Sequence, residues 1–247
     1  MQEYRGLFVA GTDTGVGKTV VTAAVAAALR AEGCRAGVWK PVQSGVLIGS
    51  GETDAERLLQ GTGIGERPEE IASYTFADPL APALAAKLAG VRLTLDTVVD
   101  AGRPLMARYD ALLVEGAGGL AVPLTDDAMV VDLIGRLRLP VLLVARPGLG
   151  TVNHTLLSVS MLRGRGIPLA GVVLCDGEPP AAGHDPSVVH NAELIGHYGG
   201  VKVLGTLPHL RDTSRREELV RAVSETVDLG PIRQAIAGTF GEEHFNE

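Results

Sequence analysis

Nine residues, Gly11-Thr12-Asp13-Thr14-Gly15-Val16-Gly17-Lys18-Thr19, stand between an apolar run, Leu7-Phe8-Val9-Ala10, and an alanine-rich amphipathic run that begins at Val20. A strand that feeds a glycine-rich turn and then opens a helix aims backbone N–H groups and the positive helix end at one point, where an anion can sit. Lys18 adds a mobile cation, and Thr19 a hydroxyl able to ligate magnesium. The usual phosphate-loop pattern has four residues between its first glycine and Gly-Lys-Thr. Here Thr12 holds that glycine position, and Gly11 makes the loop one residue longer.

Four further groups could act with this loop. Glu115 follows the apolar run Ala111-Leu112-Leu113-Val114, where a phosphate-loop protein holds an acid for the magnesium shell. The Gly116-Ala117-Gly118-Gly119 run after it reads as a tight loop, since glycine alone accepts positive φ cheaply, and it would let backbone approach a ligand. Asp54 stands between Glu52 and Glu56, and the residues themselves leave open which of the three faces a metal. Magnesium takes one or two carboxylates together with phosphate and water oxygens. Lys40 ends an expected strand, where a cation can meet charge that develops on a transferring group; Ser44, four residues on, offers a hydroxyl. The stretch Leu149-Gly150-Thr151-Val152-Asn153-His154 enters a helix whose first N–H groups favour a carboxylate or phosphate. No histidines are paired at metal-ligand spacing, and no nucleophile–base pair can be drawn.

These groups need a scaffold that brings them together. Strands are expected at residues 7–10, 36–40 (ended by Pro41), 111–114, 141–145, 170–175 and 201–207. Helices are expected at 18–32, 53–60, 83–89, 95–108 (with a break left open at Gly102 or Pro104), from Asp126 or Asp127 to 137, at 153–165 and at 187–198. Thr53 with Glu56 forms a capping box. Residues 42–51 read as a loop and 61–82 as an irregular excursion over the site rim. The alternation predicts an α/β fold with a mostly parallel central sheet and helices on both faces, a single domain over residues 1–247, with about 230–247 a loosely ordered tail. In such sheets ligands gather at the carboxyl ends of the strands, where Lys18, Lys40, Glu115, Arg146 and Asp176 would converge.

The formal net charge of −7 argues against nucleic acid or a membrane surface as the main partner, because both favour clustered Lys and Arg. Cys34 and Cys175 lie far apart, so neither a disulfide framework nor a cysteine metal site is supported, which fits a reducing cytosol. With no basic-then-apolar leader pattern and no long apolar run, the expected location is cytoplasmic.

The phosphate loop, Lys40-Pro41-Val42-Gln43-Ser44, Val114-Glu115-Gly116-Ala117-Gly118-Gly119 and Asn153-His154, in this order and spacing, resemble the dethiobiotin synthetase family. The lengthened loop is itself a trait of that family. The resemblance implies ATP- and magnesium-dependent conversion of 7,8-diaminopelargonic acid and carbon dioxide into dethiobiotin, in biotin biosynthesis. An amine of the substrate becomes a carbamate, the carbamate attacks the γ-phosphate, and the second amine closes the ureido ring. It further implies that Lys18 stabilises the transferring phosphoryl group and Lys40 the carbamate, with Thr12 and Ser44 on the substrate. Thr14, Gly15, Val16, Gly17, Lys18, Thr19 and Val20 would hold the nucleotide together with Asp54, Glu115, Gly116, Ala117 and Gly118. Thr19, Asp54 and Glu115 would be the magnesium set, which selects Asp54 from the three acids. Gly150, Thr151, Val152 and Asn153 would hold the substrate carboxylate across a homodimer interface.

One departure concerns the base. Much of the family has an asparagine before the aspartate here numbered Asp176, where it reads the adenine edge; this chain has Cys175. Cysteine cannot supply a paired donor and acceptor, so nucleoside triphosphates other than ATP become candidates, with Pro208, His209 and Leu210 still flanking the base. The competing reading is a partitioning or sorting ATPase that acts on protein partners. Such proteins usually carry an extra lysine where this loop has Asp13. A cobyrinate-type amidase would need a glutaminase domain, for which the chain has no room.

Overall fold

The computed structural model describes residues 5–176 and 185–238. Seven strands form one sheet in the order β3-β2-β4-β1-β5-β6-β7, and every ladder is parallel. The strands are β1 (Gly6–Gly11), β2 (Ala36–Ser44), β3 (Ala72–Phe76), β4 (Ala111–Gly119), β5 (Val141–Ala145), β6 (Leu169–Cys175) and β7 (Val203–Leu207). β1, β4 and β5 occupy the middle and are buried along their apolar stretches, as strands covered on both faces must be.

Ten helices flank the sheet among the described residues: α1 (Lys18–Ala31), α2 (Asp54–Thr62), α3 (Pro68–Ile71), α4 (Pro82–Leu88), α5 (Leu95–Arg108), α6 (Val130–Leu137), α7 (Thr151–Gly164), α8 (Val188–Gly199), α9 (Arg216–Thr226) and α10 (Gly230–Ile236). α1 is rich in alanine, the best helix former, and its small side chains let it pack closely with α2 and α9. α5 lies against β2, where Gly102 faces the Trp39 indole: a Cβ there would come within 2.5 Å of the ring.

Several elements differ from what the sequence predicts. Pro41 does not end β2. Pairing with β4 covers Ala36 to Trp39 and pairing with β3 begins at Lys40, so the residue without an N–H falls just beyond the β4 ladder. The segment expected as irregular contains α3 and the edge strand β3. α5 runs unbroken through Gly102 and Pro104. β4 extends through the glycine run in place of a tight loop, and of Gly116, Gly118 and Gly119 only Gly118 has positive φ, at 67°. Gly116 is needed for space instead, since a Cβ would meet Phe8 at 2.9 Å. α6 starts at Val130, and Asp132, in place of Asp126 or Asp127, caps it by accepting the Met129 amide at 2.7 Å. α7 begins two residues early, at Thr151. The stretch from residue 230, expected to be loose, opens with α10, whose Ile232 is fully buried; residues 239–247 lie outside the described residues.

α2 carries the predicted capping box. Thr53 Oγ1 accepts the Glu56 amide, while the Glu56 carboxylate accepts the Thr53 amide at 3.0 Å and the Gly49 amide at 2.8 Å. Slight burial pushes the Glu56 pKa up, but the hydrogen bonds from Thr53 and the Gly49 amide outweigh it and bring it from 4.5 down to about 2. A folded value below the free one means that this stabilisation is present above about pH 4.5 and is lost as the pH falls towards about 2. Glu56→Gln is therefore expected to flatten the loss of stability with acid in that window. Urea unfolding at about pH 5 and about pH 3 checks this, and parallel losses in both proteins would refute it.

Candidate phosphate-transfer site

The site lies at the carboxyl end of β1 and of the β2–β4 ladder. β1 delivers the phosphate loop, which turns at Gly15 and Gly17 with φ of 73° and 90° before α1 begins at Lys18. Gly17 is required twice over, since its φ is left-handed and a Cβ on it would fall 2.4 Å from Cys175 Sγ. The loop is braced from both sides. The Thr12 amide donates to Val144 O at 3.0 Å, the Thr14 amide to Asp13 Oδ1 at 2.7 Å, and Arg146 at the end of β5 pairs with Asp13 Oδ2 at 3.0 Å. Lys18 Nζ donates to Asp13 O at 2.8 Å. Burial, then repulsion from Lys40, lowers the Lys18 pKa to about 8, partly offset by Glu115, Asp54 and Asp13.

Beside the loop is a buried charge cluster. Lys40 Nζ lies 2.6 Å from Asp54 Oδ2 and 2.7 Å from Glu115 Oε1, and donates also to Gly116 O at 3.2 Å. Thr19 Oγ1 is within hydrogen-bond distance of both acids, 3.1 Å from Asp54 Oδ1 and 2.9 Å from Glu115 Oε1. Lys40 and Glu115 are 2% and 0% exposed, so each charge depends on the other. Burial alone would drain the proton from Lys40, but the two carboxylates overcompensate and raise its pKa. Burial pushes the Asp54 carboxyl up, yet Lys40 and the Thr19 hydroxyl hold it below the usual carboxylate range. Glu115 Oε2 is buried and has no hydrogen-bond partner. A hydroxyl and two carboxylates, one of them with an orphaned oxygen, make the donor chemistry of a hard divalent cation.

Thus Lys18, Thr19, Lys40, Asp54 and Glu115 converge, and Glu56, engaged in its cap, does not join them. Thr14, Gly15, Val16 and Val20 belong to the loop or its helix, and Ala117 and Gly118 continue β4 beyond the cluster. Ser44 is at the end of β2, where its hydroxyl donates to Leu80 O at 2.7 Å. Cys175 ends β6 beneath the phosphate loop; burial, followed by Asp176, pushes its thiol up to about 12. Pro208, His209 and Leu210 follow β7, whose last residue accepts the Asp176 amide. Gly150 caps α7 in the left-handed region without a side-chain cap, ahead of Thr151, Val152 and Asn153. His154 is exposed, so it offers no buried general base.

Two braces of this site escape sequence reasoning. Arg146 is expected at the ligand edge of the sheet, but not the pairing with Asp13 by which it holds the phosphate loop. The turn before α7 is tied to α8: Asp185 accepts the Leu149 amide at 2.8 Å, and buried Asn191 donates to Pro147 O at 2.7 Å. Both join residues far apart in sequence, so no local pattern announces them.

Residues 5–217 match the family model described as an AAA domain. Solved structures with the same fold include the cell division ATPase MinD of Pyrococcus furiosus (TM-score 0.52, 19% identity, 88% of this chain and 90% of that one). Another is the septum site-determining protein MinD of Pyrococcus horikoshii, complexed with Mg-ADP (TM-score 0.50, 16% identity, 88% and 86%). Among curated proteins, the ATP-dependent dethiobiotin synthetase of Anaeromyxobacter sp. (strain Fw109-5) is 48% identical over 88% of this chain and 96% of its own length. That of Bacillus cereus (strain B4264) is 41% identical over 94% of each. Identity at this level over nearly the whole of both proteins, on a scaffold that brings Lys18, Thr19, Lys40, Asp54 and Glu115 together, makes the chain a member of the ATP-dependent dethiobiotin synthetase family.

Proposed function

We propose that the chain is an ATP-dependent dethiobiotin synthetase, a ligase of biotin biosynthesis that acts as one phosphate-loop domain in the cytoplasm. The observation that carries the chemistry is the Thr19–Lys40–Asp54–Glu115 cluster beside Lys18, with no nucleophile–base pair among the described residues there. The substrate supplies the nucleophiles. An amine of 7,8-diaminopelargonic acid takes up carbon dioxide as a carbamate, whose oxygen attacks the γ-phosphorus of ATP as ADP leaves. The second amine then attacks the carbonyl carbon of the resulting carbamic-phosphoric anhydride, closes the ureido ring and releases phosphate.

Positioning and charge are what such a transfer asks of a protein. Lys18 gives up Asp13 O for the transferring phosphoryl group, and Lys40 supplies fixed positive charge to the carbamate and its phosphorylated form. Thr12 and Ser44 bind the acceptor. Thr19, Asp54 and Glu115 would hold a magnesium ion, which when bound neutralises charge on the phosphates. Buried Glu115 Oε2, without a partner, supports this assignment. Gly116, Ala117 and Gly118 would line the nucleotide, and Asp176 with Pro208 to Leu210 its base.

The substrate carboxylate is assigned to Gly150, Thr151, Val152 and Asn153 across a homodimer interface. In support, α7 exposes Leu157 at 63% and the turn before it Leu149 at 83%, apolar side chains near the assigned carboxylate stretch that a second copy would cover.

Phosphate release should require both diaminopelargonic acid and bicarbonate, and Lys40→Gln should lower turnover at least about a hundredfold in protein whose far-UV spectrum is retained. Hydrolysis indifferent to that substrate would favour a partner-directed ATPase instead. With Cys175 in place of a base-reading asparagine, GTP and CTP should support turnover within about tenfold of ATP, and strict dependence on ATP would refute relaxed recognition. Leu157→Arg should give monomers by light scattering and raise KM for diaminopelargonic acid; a monomeric variant with unchanged KM would exclude a shared site.

A further inference from the structure

Gln43 is buried on β2, three residues beyond Lys40, and takes no part in the chemistry above. A buried side-chain amide is tolerated when its donor and acceptor both find partners. Gln43 Nε2 donates to Thr75 Oγ1 on β3 at 3.1 Å, and Oε1 accepts the Ala55 amide at 3.2 Å. Ala55 is the second residue of α2, so its N–H is one of those a helix leaves without an intrahelical partner. Gln43 therefore fastens the first turn of α2 to the sheet.

Asp54, one residue earlier, reaches the cluster by a less direct route than its partners. Lys40 and Glu115 sit on sheet strands and Thr19 in the first turn after the phosphate loop, whereas Asp54 is delivered by α2 after a stretch that turns at Gly45, Gly49 and Gly51 with positive φ. Glu56 ties that stretch to α2, but its bonds to Gly49, Ser50 and Thr53 do not reach the sheet. Asp54's own contacts, to Lys40 and Thr19, are made with groups that a ligand would also engage. The Gln43 bonds involve neither group.

We infer that Gln43 is a positioning residue: it holds the α2 N-terminus on the sheet so that the Asp54 carboxylate stands ready beside Glu115 and a divalent cation meets both without reordering α2. The role rests on Asp54 and Glu115 holding that cation. Partners that orient metal ligands from outside typically change metal affinity by about 10- to 100-fold when removed.

The test titrates ATP binding by calorimetry, at a series of Mg2+ concentrations and in EDTA, and follows amide hydrogen exchange of α2 in the free protein. Gln43→Met keeps the bulk and removes both bonds. It should raise the Mg2+ half-saturation about tenfold, leave binding in EDTA unchanged and speed exchange at residues 54–57. Thr75→Val removes only the donor-side bond and should shift the same constant less, in the same direction. If Gln43→Met does not fold, an unshifted constant in Thr75→Val overturns the role. Weakening of equal size with and without Mg2+ would mark general support of the fold and likewise overturn it. Asp54→Asn separates the two readings. A normal Mg2+ dependence there overturns the metal assignment, whereas a loss there beside an unchanged Gln43→Met overturns only the positioning role.

Discussion

A positive charge with almost no exposure to water, Lys40, is the constraint around which this molecule is arranged. An ammonium in the interior persists only with opposite charge in contact, and that contact rarely stabilises a fold more than an apolar pair would. Its partner Glu115 is fully buried, so neither charge can be satisfied by solvent. The two stand on adjacent strands just past the last pair of the β2–β4 ladder, Trp39 with Val114, the residues immediately before them. Register and electrostatics thereby enforce each other. A slip of one residue would turn one of the two charges to the opposite face and leave its partner alone in the core.

The same cluster couples three connections that are distant in sequence. Thr19 brings the helix after the phosphate loop, Asp54 the start of α2, and Lys40 the strand between them, all onto β4 at Glu115. Glycines make the close approaches possible for different reasons: left-handed backbone at Gly17, room for the Phe8 ring at Gly116.

What could be read from the residues follows the range of the signal. The phosphate loop and the Thr53–Glu56 cap are local patterns, and each stands where its pattern puts it; Lys40 and Glu115 meet as expected but within strands that run on past them. The continuation of β2 was hidden because Pro41 is a strand breaker unless the pairing changes sides at that point, and a change of partner leaves no mark in the sequence. β3 is five residues long and flanked by prolines, too short for its alternation to be seen. The choice among Glu52, Asp54 and Glu56 was closer to legible: a capping box engages the Glu56 carboxylate, which removes it as a ligand. The bond from Gln43 to α2 and that from Arg146 to Asp13 depend on tertiary contact and had no local signal.

Lys18 donates in this structure to Asp13 O, a carbonyl of its own loop. Stripping water from an ammonium is a costly part of gripping an anion, and with Lys18 buried to all but 7% most of it is done in folding. An arriving phosphate oxygen replaces a neutral carbonyl oxygen at nearly the same distance, and the loop's shape is kept by the amides and by Arg146 throughout. The loop thus behaves as a socket that carries its own removable stopper: without a ligand its lysine is held by a carbonyl of the loop itself, and occupancy is an exchange of one oxygen for another.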